Sequence, residues 1–221
     1  MCIRDSILMH NSSYSIWDIL QFGDFISLDK SLDSSVKKDL AQYSKDWSRY
    51  NPRTNIAREG LCVINEKGSV GPGPALDSLK QYNAEHGSQW NESDFNKPTD
   101  LYRNSTALQE LLQDILPYCV RTHFIKLLPG GYFPPHRDHS KGIQNTFRLI
   151  VPIQNFNPPF CRFILEDTTL YWEQNKMYFL NTTKHHTLFN ASPKRDSIWL
   201  VINAKLCKET INFVIDNLDQ K

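Results

Sequence analysis

The spacing of apolar positions changes character near Val120. Before that point apolar residues recur mostly at helical intervals. Val36, Leu40, Tyr43 and Trp47 predict an amphipathic helix over residues 32–47, with Ser34 or Ser35 as N-cap and Asn51-Pro52 as its stop. A second helix is expected over 75–86, ended by Gly87. A third is expected over 104–116, where Ala107, Leu108, Leu111, Leu112, Ile115 and Leu116 make one stripe and Pro117 closes it. Short strands are expected near 22–28 and at 61–64, and residues 88–103 form either a lid over a substrate or a connector. After Val120 the helical spacing gives way to short runs rich in Ile, Val, Phe, Tyr, Trp and Thr, at 122–128, 146–154, 161–165, 169–172, 177–181, 187–189 and 197–204. Turn residues separate them at the intervals of a β-sandwich or barrel. A closing helix is expected over 208–218. The expected architecture is a single α+β domain over residues 1–221, with a helical part to about residue 119 buttressing a mainly β core at 120–205.

Composition narrows the function classes. A formal net charge of +1 on 221 residues gives no reason to expect nucleic acid or an acidic membrane as partner. The longest apolar runs are of strand length, far short of a membrane span. Residues 1–10 carry Arg4 and Asp5 and lack the continuous apolar stretch of a signal peptide. The cysteines at 2, 62, 119, 161 and 207 are scattered and contain no Cys-x-x-Cys pair, which argues against both a disulfide framework and a thiolate zinc site. A soluble, cytoplasmic protein is expected.

The chemistry concentrates in two segments. In 129–139, Pro129-Gly130-Gly131 is turn chemistry, Pro134 and Pro135 stiffen the backbone, and His136 and Asp138 then stand two residues apart. On extended backbone such residues project from one face, so one short piece of chain offers a nitrogen and an oxygen ligand to one ion. In 179–190 the pair His185-His186 sits at the end of another strand-like run, with Arg195 shortly after. Two histidines and a carboxylate on facing strands form the facial triad of non-haem Fe(II) oxygenases, which leaves coordination positions open. A hydrolytic zinc site is disfavoured, because its ligand helix is missing from the sequence. A non-catalytic, cupin-like metal or small-molecule binding module is the alternative. Arg53, Asn55 and Arg58 precede the 61–64 strand; they form a solvated surface, or one arginine points into the cleft toward an anionic group.

Three ordered segments together resemble the aspartyl/asparaginyl β-hydroxylase family: Leu128-Pro129-Gly130-Gly131-Tyr132-Phe133-Pro134-Pro135-His136-Arg137-Asp138, Arg148-Leu149-Ile150-Val151-Pro152-Ile153, and His186-Thr187-Leu188-Phe189-Asn190 with Arg195. The resemblance covers about 120–205 and implies a double-stranded β-helix of jelly-roll or cupin type. It also implies Fe(II), 2-oxoglutarate as cosubstrate and O2, with hydroxylation of an amino acid, free (proline, for example) or within a peptide. The family pattern His-x-x-x-Asn selects His186, with Asn190 four residues on, so the implied iron ligands are His136, Asp138 and His186. By the same resemblance Arg195 binds the distal carboxylate of 2-oxoglutarate, which suits the fixed fork of a guanidinium. Arg148 contacts cosubstrate or substrate. Where the family often carries a histidine, two residues after that arginine, this chain has Ile150.

Overall fold

The computed structural model describes residues 14–138 and 145–219; the reading of residues 1–10, and His139, lie outside the described residues. Two antiparallel sheets face each other. The larger has eight strands, ordered β1 (Phe25–Ser31), β10 (Lys176–Leu180), β7 (Thr146–Gln154), β12 (Ser197–Lys205), β5 (Cys119–Leu127), β3 (Arg58–Asn65) and β2 (Ser48–Arg49), with β4 (Lys97–Pro98) beside β3. The smaller is β6 (Tyr132–His136), β11 (His186–Asn190), β8 (Cys161–Leu165) and β9 (Thr168–Leu170). The architecture is the double-stranded β-helix with flanking helices.

Strand periodicity explains why the larger sheet reads as nearly continuous apolar runs. Successive side chains point to opposite faces, and both faces of this sheet are covered. Ile125, Leu127, Ile150, Trp199 and Val201 face the smaller sheet and pack with Phe163, Trp172 and Leu188. Their neighbours Phe124, Leu149, Val151, Leu200 and Ile202 face the other way, into a second core shared with the helices. Trp199 anchors the inter-sheet core, with edge-on contacts to Trp172 at 5.1 Å and Phe163 at 5.7 Å. Each such pair adds about 1 kcal/mol beyond the area it buries.

The β core falls close to where the apolar runs predict, although β5 begins three residues earlier than expected, at Cys119, and β6 lies outside the expected runs. The N-terminal half departs from expectation in part. The expected strands near 22–28 and 61–64 are β1 and β3, and the unexpected β2 and β4 join them at the flanks of the larger sheet. The helix expected over 32–47 is only α2 (Val36–Gln42), following the short α1 (Trp17–Leu20). Tyr43 leaves helical geometry, and Trp47 packs separately, its ring 4.1 Å under the Lys126 ammonium. Ser35 stands at the N-cap, but its side chain makes no capping bond. The 75–86 prediction becomes a 3-10 turn at Pro74–Leu76 and α3 (Leu79–His86), with Gly87 at φ 61° as its left-handed stop. The helix expected over 104–116 is two, α4 (Asp100–Asn104) and α5 (Thr106–Leu112). Ser105 divides them because its hydroxyl accepts the Leu108 N–H at 3.3 Å, a cap in place of a continued turn. The closing helix is α6 (Lys208–Asp216), which buries Ile211, Phe213 and Val214 against the outer core. Among the described residues no helix is long and apolar enough to cross a membrane.

Candidate metal centre

The turn that leads into the first ligand strand is set by its glycines. The Gly131 N–H donates to the Leu128 carbonyl at 2.8 Å, with Pro129 and Gly130 between them. Gly130 has φ +76°, so the corner has proline then a left-handed glycine, the type II pattern. Gly131 lies against the Ala57 carbonyl so closely that a Cβ there would stand 2.1 Å from that oxygen. Asn190, almost fully buried, ties this corner to the far end of β11. Its amide donates to the carbonyls of Leu127 at 2.9 Å, Leu128 at 3.3 Å and Arg195 at 2.7 Å, while its oxygen accepts the Ser192 N–H. The asparagine of the His-x-x-x-Asn pattern thus clamps two turns.

From that corner β6 runs antiparallel to β11, and the register sets His136 directly opposite His186. Asp138 follows two residues on, its N–H donating to the Thr182 carbonyl at 2.8 Å. Each of the three residues offers a ligand atom, and those atoms all lie within 4.8 Å of one another. His136 Nε2 lies 3.6 Å from Asp138 Oδ1. Both imidazoles are oriented by their own strands: His136 Nδ1 meets the Pro134 carbonyl at 2.8 Å and His186 Nδ1 meets the Lys184 carbonyl at 3.0 Å. A carbonyl can only accept, so Nδ1 carries the proton and the Nε2 lone pair is left for a cation. Burial pushes the His186 pKa down, more than its own backbone hydrogen bond raises it, which favours the neutral form a metal needs. His185 is exposed and points away, its Nδ1 3.2 Å from Arg137.

These three residues line one wall of a cavity of about 600 Å³ between the sheets. Ile150, Phe163, Leu180, Leu188 and Val201 supply an apolar wall, and Arg58, Arg121 and Arg148 supply cationic groups. Arg148, on β7, donates from Nε to Asp138 Oδ2 at 3.1 Å, and its Nη1 is buried with no partner among the described residues. Arg121 is engaged throughout, donating to Glu92 at 2.7 Å and to the carbonyls of Ala75 and Asp77. It sits at a bulge where the register with both β3 and β12 slips, at φ 32°. Arg121 and His123 stand two residues apart on β5 and both line the cavity. Burial raises the Glu92 pKa, but Arg121 and Arg148 together hold it below the usual carboxylate value. His123 donates through Nδ1 to the Arg121 carbonyl at 3.1 Å, and burial, reinforced by Arg121, pushes its pKa down to about 3. Both causes favour the neutral form of His123.

Of the residues expected at the site, His136, Asp138, His186 and Arg148 converge. Arg195 does not. It is exposed, stacks 5.5 Å from the Phe160 ring, and is absent from the cavity lining. The reason is local: Asn190 holds its carbonyl and Ser192 Oγ accepts its N–H at 2.9 Å, which turns the side chain outward. Arg53 is also outside, paired with Glu85 and Asp77. Sequence reasoning missed Arg121, Glu92 and His123: Glu92 lies on a connecting turn without periodic signal, and Arg121 and His123 lie in β5, where an apolar strand run gives no sign that two polar side chains line a cavity. The 88–103 segment that supplies Glu92 also buries Phe95 completely, so part of it is anchored rather than a free lid.

Solved structures similar to this chain include a prolyl-4-hydroxylase from Pseudomonas putida, 16% identical over 86% of this chain and 97% of that one, with a TM-score of 0.47. A 2OG-Fe(II) oxygenase family oxidoreductase from Burkholderia pseudomallei is 8% identical over 68% and 67%, with a TM-score of 0.39. A cupin domain from Schizosaccharomyces pombe is 12% identical over 47% and 66%, with a TM-score of 0.31. No curated protein sequence matches the chain. Fold and site together define a jelly-roll protein in which two histidines and one carboxylate could hold a metal ion. The aspartyl/asparaginyl beta-hydroxylase model matches residues 54–205, and the chain belongs to that family.

Proposed function

We propose that the protein is an Fe(II)- and 2-oxoglutarate-dependent dioxygenase that hydroxylates an unactivated C–H bond of an amino acid, free or within a peptide, releasing succinate and CO2. The observation that carries this reading is the convergence of two lone-pair-bearing Nε2 atoms and one carboxylate beside Arg148, whose buried Nη1 has no protein partner among the described residues. The donor set fits a ferrous ion: neutral imidazoles and a carboxylate on one face leave the other positions for cosubstrate and oxygen. His136, Asp138 and His186 would hold the metal, and Arg148, rather than the outward-facing Arg195, would receive a carboxylate of 2-oxoglutarate. The bound iron, 2-oxoglutarate and O2 supply the oxidising power for C–H cleavage.

The chain's own residues position the reactants and limit side reactions. Arg148 donates from Nε to Asp138 Oδ2 at 3.1 Å, and a carboxylate received by its buried Nη1 would be held in place relative to that residue. Ile150, Leu180, Leu188 and Val201 keep one wall apolar and exclude water from it. Glu92 and the backbone carbonyls of Ala75 and Asp77 hold Arg121 as a fixed positive charge rather than a mobile one. Burial and the adjacent Arg121 disfavour a charged His123 on that wall.

The test is succinate formation from 2-oxoglutarate in air with added Fe(II), with and without free amino acids and Asp-, Asn- or Pro-containing peptides. Iron-dependent succinate, stimulated by one of these and lost in His136→Ala, is the expected result. Succinate no higher than in His136→Ala refutes the enzyme and leaves the cupin-like binding module.

A further inference from the structure

Two of the three candidate ligands hang from one short turn. Residues 181–184 connect β10 to β11, and two of their carbonyls hold the centre. Thr182 accepts the Asp138 N–H at 2.8 Å, and Lys184 accepts from His186 Nδ1 at 3.0 Å. The Lys184 carbonyl aims the His186 ring, but where the turn lies sets how far that ring stands from Asp138. The turn belongs to neither strand, so its place depends on other contacts.

The contacts that fix it run through Asn181, which is only 5% exposed. Its Oδ1 accepts the Thr183 N–H at 3.2 Å and the Thr183 hydroxyl at 2.6 Å, which shapes the turn. Its Nδ2 donates to Asp24 Oδ1 at 2.6 Å, 157 residues away in the chain, and its N–H donates to the Asp24 carbonyl at 2.8 Å. The other carboxylate oxygen, Asp24 Oδ2, lies 2.6 Å from the Lys184 ammonium. One carboxylate thus grips residues 181 and 184, the two ends of the turn.

We infer that Asp24 is a positioning residue of the metal centre: it fixes the turn from which Asp138 and His186 hang. This rests on the reading of His136, Asp138 and His186 as metal ligands.

The sheet supports the assignment independently. β1 pairs with β10 and β10 with β7, so Phe25, Leu180 and Arg148 form one rung, and Asp24 and Asn181 stand one residue beyond it. Arg148 holds the Asp138 carboxylate while Thr182 holds its main chain. Asp138 is therefore held from two neighbouring levels of one sheet, and β1 is the outer edge of both. Without the Asp24 carboxylate the buried Asn181 amide loses its acceptor, which is costly unless the turn shifts or water enters. Either response moves the Thr182 and Lys184 carbonyls together. The family model begins at residue 54, so this support comes from outside the matched stretch.

Asp24→Ala removes the grip, and an exchange of the two side chains tests it directly. Asn181→Asp alone sets two carboxylates against each other. Asp24→Asn combined with Asn181→Asp again faces one amide donor with one carboxylate, in the reverse sense. Metal affinity is read with Mn(II), by paramagnetic resonance of the free ion, and ligand geometry with Co(II), by visible absorption. Asp24→Ala and Asn181→Asp are each expected to weaken Mn(II) binding about tenfold and to alter the Co(II) spectrum, the usual scale for losing a group that orients a metal ligand. The double variant is expected to return to within about threefold of wild type, with the wild-type spectrum. Urea unfolding of the metal-free proteins runs alongside. Variants that unfold earlier but keep wild-type affinity and spectrum while folded overturn the inference, because they show a role in stability alone. A double variant that binds no better than Asn181→Asp also overturns it, and that comparison stands even where Asp24→Ala fails to fold. Wild type that takes up neither ion, or that binds no better than His186→Ala, refutes the metal centre and this inference with it. Wild type that binds both ions, with Asp24→Ala indistinguishable from it, refutes only the role of Asp24.

Discussion

Replacing His123 with glutamine removes one buried titratable group from the cavity wall without inserting a charge. In the folded protein its pKa is pushed from 6.5 to about 3, first by burial and then by the adjacent Arg121. In the unfolded chain it titrates near its ordinary value. Between pH 6.5 and 3 the unfolded state therefore binds one proton that the folded state refuses, and stability falls as pH falls through that window. Integrated from pH 7 to pH 5, this costs about 2 kcal/mol, approaching a slope of about 1.4 kcal/mol per pH unit at the lower end. Above pH 7 the group contributes almost nothing. Urea unfolding of the metal-free protein at pH 7, 6 and 5 measures the effect directly. Wild type is expected to lose about 2 kcal/mol more than His123→Gln across that range, because other acid-labile groups are common to both. Parallel curves for the two proteins would show that His123 is solvated or charged in the fold, and would refute a cavity wall that keeps this imidazole dry and neutral.

Gly131→Ala drives a Cβ against the Ala57 carbonyl at 2.1 Å; with backbone on both sides it should destabilise the fold by about 3 kcal/mol, read as a lower thermal midpoint, and weaken metal uptake by shifting β6. His186→Ala should abolish Co(II) binding followed by visible absorption, whereas His185→Ala, whose ring is exposed on Arg137, should leave the affinity within about twofold. Calorimetry with 2-oxoglutarate on the Mn(II) protein should show affinity lost at least tenfold in Arg148→Met and unchanged in Arg195→Ala; the opposite pattern would return the cosubstrate role to Arg195.

Much of the β core is legible in the chain because strands covered on both faces must be apolar almost throughout, and 146–154 and 161–165 match β7 and β8 end to end. The candidate metal ligands converge for a different reason: a His-x-Asp pair on extended backbone and a histidine in a second, paired strand are brought within reach of one ion. The hidden part is tertiary. The strand expectation for β1 ends at Leu28; its polar end Asp29-Lys30-Ser31 carries no strand pattern and takes that form from the sheet edge it joins. Trp47 completes a helical spacing that the backbone abandons at Tyr43, because a ring can reach the same core from a loop. Arg195 fits the family pattern by its position in the chain, while the direction its side chain takes depends on the hydrogen bonds of Asn190 and Ser192, which the pattern does not carry.

The two ligand imidazoles are each held by a carbonyl only two residues earlier in the chain. Their aim is therefore written into two tripeptides and does not wait for a metal to create it. A pre-aimed, rigid donor set has little means of telling one divalent ion from another. By intrinsic affinity cobalt, nickel, copper and zinc all outrank ferrous iron for such donors. Occupancy by iron then becomes a property of the metal pools the protein meets, not of the pocket, and the same protein recovered from zinc-rich and iron-rich media should differ in bound metal with no difference in fold.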